Sequence, residues 1–329
     1  MNKDVYKAYE AHDWLERFYY YVLCYSKEAR EAKDYLKSRG IDDETIQTFR
    51  IGFSPLKSDV TFEFLKSKGF DNSELVETNI LRLNNGKFSN ILRNRIVFPI
   101  KDYKDRTIAF GGRAINPNNK IKYINSEESA IFKKRKNLFG FNQAKKEIGN
   151  QDYAVLMEGY FDVLKAHQHD VKNVVASLGT ALTTNQALLL KSITENIIIA
   201  YDGDESGLEN SFRSAAVLDN VGCNVRIAQI EGEQDPDEYI STYGGIAFLN
   251  EVINKAKDVK MTLIDYKKQD YDLSKATDRY DYAEDVLDGI VRSSNQDNVE
   301  TFKKLEDVMG LSLRVMQEEI ISHRKKKSK

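Results

Sequence analysis

The chain has 329 residues, 41 % of them hydrophobic, and a formal net charge of −2; that length suits about two domains of roughly 150 residues, with room for a small third, and the composition is too apolar for a disordered chain. No apolar run approaches the roughly 20 residues that cross a bilayer, and the charged start, Met1 to Glu10, is unlike a secretory leader. The cysteines are Cys24 and Cys223 alone, which excludes a disulfide scaffold and a zinc site built on paired cysteines, so a soluble, cytoplasmic protein with no membrane partner is expected.

Residues 3–50 read as helical, with Trp14, Phe18, Tyr21, Val22 and Tyr25 near helical spacing and expected in the core. A second helix, Glu28 to Lys37, should stop at Arg39-Gly40. From Ile80 to about Asn125 the pattern shortens. Arg95 to Ile100 and Thr107 to Phe110 are β-rich runs around a polar turn at Asp102 to Asp105. The following Gly111-Gly112 lets the backbone bend or something approach it closely. A small mixed sheet is expected here.

At Tyr153 the rhythm becomes strand and helix in alternation. Strands are expected at Ala154–Met157, Asn173–Ala176, Asn196–Ala200 and Val225–Ala228. Helices are expected at Phe161–His169, Asn185–Ser192 and Ser206–Asn220. Continuous apolar strands between amphipathic helices predict a parallel α/β sheet covered on both faces. After about Gly245 only helical patterning remains, through Leu263, Tyr282–Val286 and Leu305–Val308, and His323–Lys329 is a basic tail expected to be a linker. The expected division is therefore 1–150, an α+β basic subdomain; 151–245, a parallel α/β subdomain; and 246–329, a helical one.

The near-neutral net charge hides an asymmetry. Residues 81–150 hold 16 Lys/Arg against 5 Asp/Glu, whereas residues 151–240 hold 5 against 15. Opposite charge on neighbouring segments points to a polyanion partner, a cation site, or both.

Ligands of parallel α/β sheets collect at the carboxyl ends of the strands, and three such ends carry acids: Glu158, then Asp202 and Asp204, then Asp235 and Asp237. In extended chain, residues i and i+2 project to one side, so each Asp pair is expected to aim at one point, and neighbouring strands lie about 5 Å apart. Uncompensated carboxylates gathered so closely cannot all ionise without a cation, and an all-oxygen set suits Mg²⁺ or Mn²⁺. Such an ion beside a basic surface points to phosphate chemistry. The cationic candidates are Arg93, Arg95, Arg113, Lys122 and Lys134, with Arg39 beside Gly40 a further one. Arg93 and Arg95 should share a face by their spacing. The histidines, His12, His167, His169 and His323, have no chelating arrangement, and no nucleophile elbow or Walker-type loop is present.

These residues carry a resemblance. Glu158-Gly159-Tyr160-Phe161-Asp162, Tyr201-Asp202-Gly203-Asp204 with Gly207, and Asp235-Pro236-Asp237 look like the Toprim module of primases, topoisomerases and some nucleases. Arg93 to Ile100, Ala109-Phe110-Gly111-Gly112-Arg113, Lys122 to Ser126, Ile131 to Lys134, Leu138-Phe139-Gly140, Ala176 to Thr180, and upstream Tyr35-Leu36 with Arg39-Gly40 and Ile51-Gly52-Phe53 narrow it. Together, over roughly residues 10–245, they resemble the central RNA polymerase domain of bacterial DnaG-type primases. Gln234 stands where that family often has Glu.

The resemblance implies a Toprim-type parallel sheet flanked by helices, and DNA-directed synthesis of short RNA primers on single-stranded DNA from ribonucleoside triphosphates. Glu158, Asp202 and Asp204 are then the catalytic acids, and Glu158, Asp202, Asp204, Asp235 and Asp237 the metal-associated ones, with two or more Mg²⁺ or Mn²⁺ ions. Arg93, Arg95, Arg113, Lys122, Lys134 and Arg39 would meet template, primer or nucleotide. It also implies no zinc within these residues, a monomer, a replicative helicase reached through a C-terminal domain absent here, and guanosine tetraphosphate-type alarmones at the phosphate-binding surface. A strand-cleaving Toprim enzyme and a non-catalytic Toprim DNA-binding module are the alternative readings.

Overall fold

The computed structural model describes residues 3–77, 79, 81–84, 87–116, 118–179, 181–291, 299–316 and 318. Ile80, Thr180 and the tail His323–Lys329 lie outside the described residues. The chain opens with α1 (Lys3–Tyr25), α2 (Arg30–Ser38) and α3 (Asp43–Thr48), and α2 ends as expected at Arg39 and Gly40, the glycine in the left-handed region at φ +64°. Ala11, Leu15, Tyr19, Val22 and Leu23 form the buried stripe of α1. The expectation that Tyr21 and Tyr25 are core is corrected: they are 62 % and 72 % exposed, on the next stripe round the helix, with ring centroids 5.0 Å apart.

There follow β1 (Gly52–Ser54), α4 (Ser58–Ser67), α5 (Asn72–Glu77), β2 (Leu81–Asn84), β3 (Lys87–Asn90), β4 (Arg95–Lys101), β5 (Thr107–Ala114) and β6 (Tyr123–Asn125). The four-stranded sheet runs β1-β4-β5-β6 and every pairing in it is antiparallel, not mixed. The short turns joining β4 to β5 and β5 to β6 cannot supply the crossover that parallel neighbours need. Gly111-Gly112 does not bend the chain. It lies inside β5, where a Cβ on Gly111 would stand 2.3 Å from the Tyr160 hydroxyl.

The second half supplies α6 (Phe141–Gln151), β7 (Ala154–Met157), α7 (Tyr160–Gln168), β8 (Val174–Ala176), α8 (Thr184–Lys191), β9 (Asn196–Ile199), α9 (Glu205–Asp219), β10 (Asn224–Ile227), α10 (Pro236–Ala247) and β11 (Lys257–Asp258). Strand order is β11-β10-β9-β7-β8, with the four expected strands parallel. The antiparallel edge strand β11 was not expected, because two polar residues carry no strand pattern. Helices α11 (Val259–Lys267), α12 (Ala276–Val291) and α13 (Val299–Met309) then close around Ile264, Tyr282, Val286, Leu305 and Met309.

One apolar core joins the two sheets: Phe53, Ile96 and Phe98 from the first pack with Val155, Met157, Phe161 and Ile198 from the second, and Phe248 and Val252 extend it past residue 245. Phe98 stacks on Tyr160 at 4.8 Å. This core fixes the basic sheet against the parallel one. Among the described residues no helix is long and apolar enough to cross a membrane.

Candidate functional site

The carboxyl ends of the parallel strands hold the acids. Glu158 follows β7 directly, at the entrance to α7. Its Oε1 is buried with no hydrogen-bond partner. Burial first, and the nearby Asp202 next, push its carboxyl up to about 7, with the Asn210 amide partly opposing. Asp202 is pushed up to about 6, again by burial and then by Asp235 and Asp204.

Two close approaches bring the loops together. The Gly203 N–H donates to the Gln234 carbonyl at 3.0 Å, and a Cβ on Gly203 would stand 2.5 Å from the Ile230 carbonyl oxygen. A Cβ on Gly207 would meet the Asp202 carbonyl oxygen at 2.1 Å, so glycine lets α9 start beside that aspartate.

Asp204 and Asp235 each cap a helix, accepting from the backbone N–H of Gly207 and Glu238 at 2.7 Å. Pro236 occupies the first turn of α10. Asp237 is therefore already helical, and the expectation that it aims with Asp235 at one point is corrected. The residue is 3 % exposed, and its carboxylate accepts from the Arg39 guanidinium, which also lies 4.5 Å above the Phe161 ring. Burial works against the Arg39 charge, but Asp237 and Tyr35 more than offset it and hold the group fully protonated. Asp235 is raised chiefly by burial.

Asp162 belongs to the same neighbourhood, a placement that its position one turn after Glu158 does not by itself decide. It is buried, accepts from the Gly159 N–H at 2.7 Å, and is pushed up to about 8 by burial, then by Asp202, Asp235 and Asp237. The acids thus feel one another's charge, yet among the described residues no three His, Cys, Asp or Glu stand close enough together to hold an ion as they are. The oxygen-only donor set and the orphaned Glu158 Oε1 do fit a hard divalent cation.

Across the cleft the basic candidates divide. Arg113 is half-buried, donates from Nε to the Tyr35 hydroxyl at 2.6 Å, and lies 4.7 Å from the Tyr123 ring centre. Arg39 reaches the same hydroxyl at 3.3 Å. Lys122 is exposed, and Lys134 is half-buried with its pKa lowered by desolvation. Arg95 does not join them. It is 8 % exposed and its guanidinium donates to the carbonyls of Gly112, Ile121 and Lys122, so it clasps the β5–β6 connection instead of facing a ligand. Arg93 sits in the turn before β4, exposed, ahead of Asn94 at φ +54°. The face expected from the i, i+2 spacing of Arg93 and Arg95 does not form, because only Arg95 is in the strand. His12 and His167 are buried and held near 4 by desolvation, each bonded to a backbone carbonyl. Asn210 has no signal in the sequence, and Tyr35 enters it only through the Tyr35-Leu36 motif: nothing local marks a tyrosine or an amide as an organiser of charges.

A family model described as "DNA primase catalytic core, N-terminal domain" matches residues 19–145, and one described as "Toprim-like" matches 155–240. The DNA primase of Halalkalibacterium halodurans is 36 % identical over 321 residues, 97 % of this chain and 53 % of that protein. The crystal structure of the zinc-binding and RNA polymerase domains of Aquifex aeolicus primase is 34 % identical, covers 95 % of this chain and 75 % of that one, and superposes with a TM-score of 0.77. The chain belongs to the DnaG-type primase family. A DnaG primase catalytic domain solved bound to single-stranded DNA is 29 % identical, with a TM-score of 0.81 over 94 % of this chain and 98 % of that one. DnaG-type catalytic cores thus share the whole two-sheet arrangement with this chain, and the family is generally dependent on a divalent metal. The chain spans about half the length of the curated relatives it matches, 53 % for the H. halodurans and Geobacillus stearothermophilus primases.

Proposed function

We propose that this chain is the nucleotidyl-transferring core of a primase, joining ribonucleotides on a single-stranded DNA template during DNA replication. The observation that carries the reading is the facing of two opposite charges: an oxygen-only acidic edge with an unpartnered Glu158 Oε1, and a cationic sheet fixed across from it by a shared core. Glu158, Asp202, Asp204 and Asp235 are the side chains that would hold Mg²⁺ or Mn²⁺. Bound there, such ions supply positive charge that lets the acids ionise together and that polarises phosphoryl oxygen.

The chain's own residues do the rest. Glu158, in its ionised form, accepts the proton of the primer 3′-hydroxyl as its oxygen bonds to the α-phosphorus of the next triphosphate. The bond from that phosphorus to the bridging oxygen breaks, and pyrophosphate leaves. Arg113, Lys122 and Lys134 neutralise the triphosphate and the nucleic-acid backbone. Arg39 holds Asp237, and through it the start of α10. Arg93, exposed in the turn before β4, adds a further phosphate contact. A helicase partner and alarmone competition are family-level proposals for this chain, the latter resting on the same cationic side chains.

The test is primer synthesis on a single-stranded template with Mg²⁺ or Mn²⁺. Glu158→Gln with Asp202→Asn should lower the rate by at least about 100-fold while the fold persists. Wild-type synthesis by that double variant would refute the reading, and a DNA-linked protein trapped after denaturation would favour the strand-cleaving alternative.

A further inference from the structure

Glu158 also borders a space that Asp202, Asp204 and Asp235 do not line. Beside its carboxylate lies a cavity of about 260 Å³, lined by Ser177 and Gly179 after β8 and by Tyr201, Asn210 and Ser214 from the β9–α9 segment, among others. That is below the size of pockets for drug-sized ligands, and suits one sugar unit better than a whole nucleotide. Its polar groups are already oriented. Tyr201 and Ser214 hydroxyls bond each other at 3.0 Å, and Asn210 Oδ1 accepts from Arg213 Nη1 at 3.1 Å, which turns the Asn210 amide nitrogen the other way, toward Glu158.

The charge balance disfavours an anion in this space. The cation at its rim, Arg213, is paired with Glu209 at 2.6 Å, and the acid on its wall, Glu158, has Asp202 beside it. What the wall offers is the Glu158 carboxylate, the Asn210 amide and the Ser177 hydroxyl, which together suit a neutral ligand carrying adjacent hydroxyls. A carboxylate accepts from one hydroxyl while the amide and serine meet its neighbour.

We infer that this cavity receives the ribose at the growing primer end, with the Glu158 carboxylate accepting from its 3′-hydroxyl and Ser177 with Asn210 reading its 2′-hydroxyl. The inference rests on the primer-synthesis reading and deepens it: the pocket makes the enzyme prefer a ribonucleotide terminus. The attacking sugar then sits on one flank of Glu158, and the triphosphate on the other, beside Asp202 and Asp204.

The test is extension by one ribonucleotide of two template-annealed RNA primers that differ only in whether the last sugar is ribose or 2′-deoxyribose. Wild-type chain should extend the ribose-ended primer faster, and Ser177→Ala should lower kcat/KM for that primer about tenfold while leaving the deoxy-ended one within twofold. Asn210→Ala should reduce the same preference but slow both primers, because it also releases Glu158. Equal effects of Ser177→Ala on both primers, or no effect on either, overturn the pocket while leaving primer synthesis intact. Failure of the wild-type chain to extend either primer overturns both.

Discussion

The antiparallel basic sheet and the parallel acidic sheet carry their charges by different physical means. On the acidic edge topology does the placing: every parallel strand ends on the same side, so acids far apart in the chain arrive in one neighbourhood and raise one another's pKa. On the basic sheet the strands alternate in direction, and burial decides each side chain's task separately. Arg95, at the start of β4, spends its donors on carbonyls, whereas Arg113, in the neighbouring strand, keeps a face toward the cleft. A charge count per segment therefore reports a parallel sheet's site better than an antiparallel one's.

The contrast is sharpest where the two regions touch. Arg39→Ala leaves Asp237 buried without its cation and should cost about 2–3 kcal/mol in urea unfolding, below the full value for an enclosed pair because Arg39 is one-third exposed. Arg39→Met combined with Asp237→Leu should recover most of that loss. A double variant no better than the single one would show that the pair matters for something other than charge burial.

Within the basic sheet, Arg95→Met strips three carbonyls of their donor and should cost about 2 kcal/mol of stability, with the salt dependence of DNA binding unchanged. Phosphate contacts from Arg93, Arg113, Lys122 and Lys134 predict a log–log salt slope of about −2.8 for single-stranded DNA, at roughly 0.7 per contact. Lys122→Ala should reduce that slope by about 0.7 at nearly unchanged stability. Should Arg95→Met flatten the slope instead, Arg95 meets the nucleic acid and the division of labour within the sheet is wrong.

The acidic edge predicts a pH-dependent effect. The Glu158 carboxyl is raised from an ordinary 4.5 to about 7, and Asp202 from 3.8 to about 6. Both then bind more protons folded than unfolded between those values. Their contribution to stability is complete below pH about 4 and is lost as pH climbs through 6 and 7. Melting without divalent ions should thus fall in temperature from pH 5 to 8, Glu158→Gln should flatten that fall, and Mg²⁺ should stabilise more at pH 8 than at pH 5. A pH profile identical in wild type and Glu158→Gln would remove the electrostatic basis of the site.

Much of this protein is legible in its residues alone. Strand–helix alternation after Tyr153 implies the parallel sheet because hydrophobic periodicity is a local property of the chain, and the acids at its strand ends follow from the general rule for such sheets. The motifs point to the family, since they recur in order over most of the chain. What periodicity cannot reach is anything that depends on partners distant in sequence. Asp237 looks like a second ligand beside Asp235 until α10 begins between them and Arg39, nearly 200 residues earlier, closes on it. The two-residue strand β11 has no pattern of its own and exists only because an edge of β10 was open. Tyr21 and Tyr25 obey helical spacing, but only packing chooses which stripe of α1 faces inward. Residue types and their local order thus set the elements and the chemistry available; desolvation and pairing, which need the whole fold, decided which charges were left free to use it.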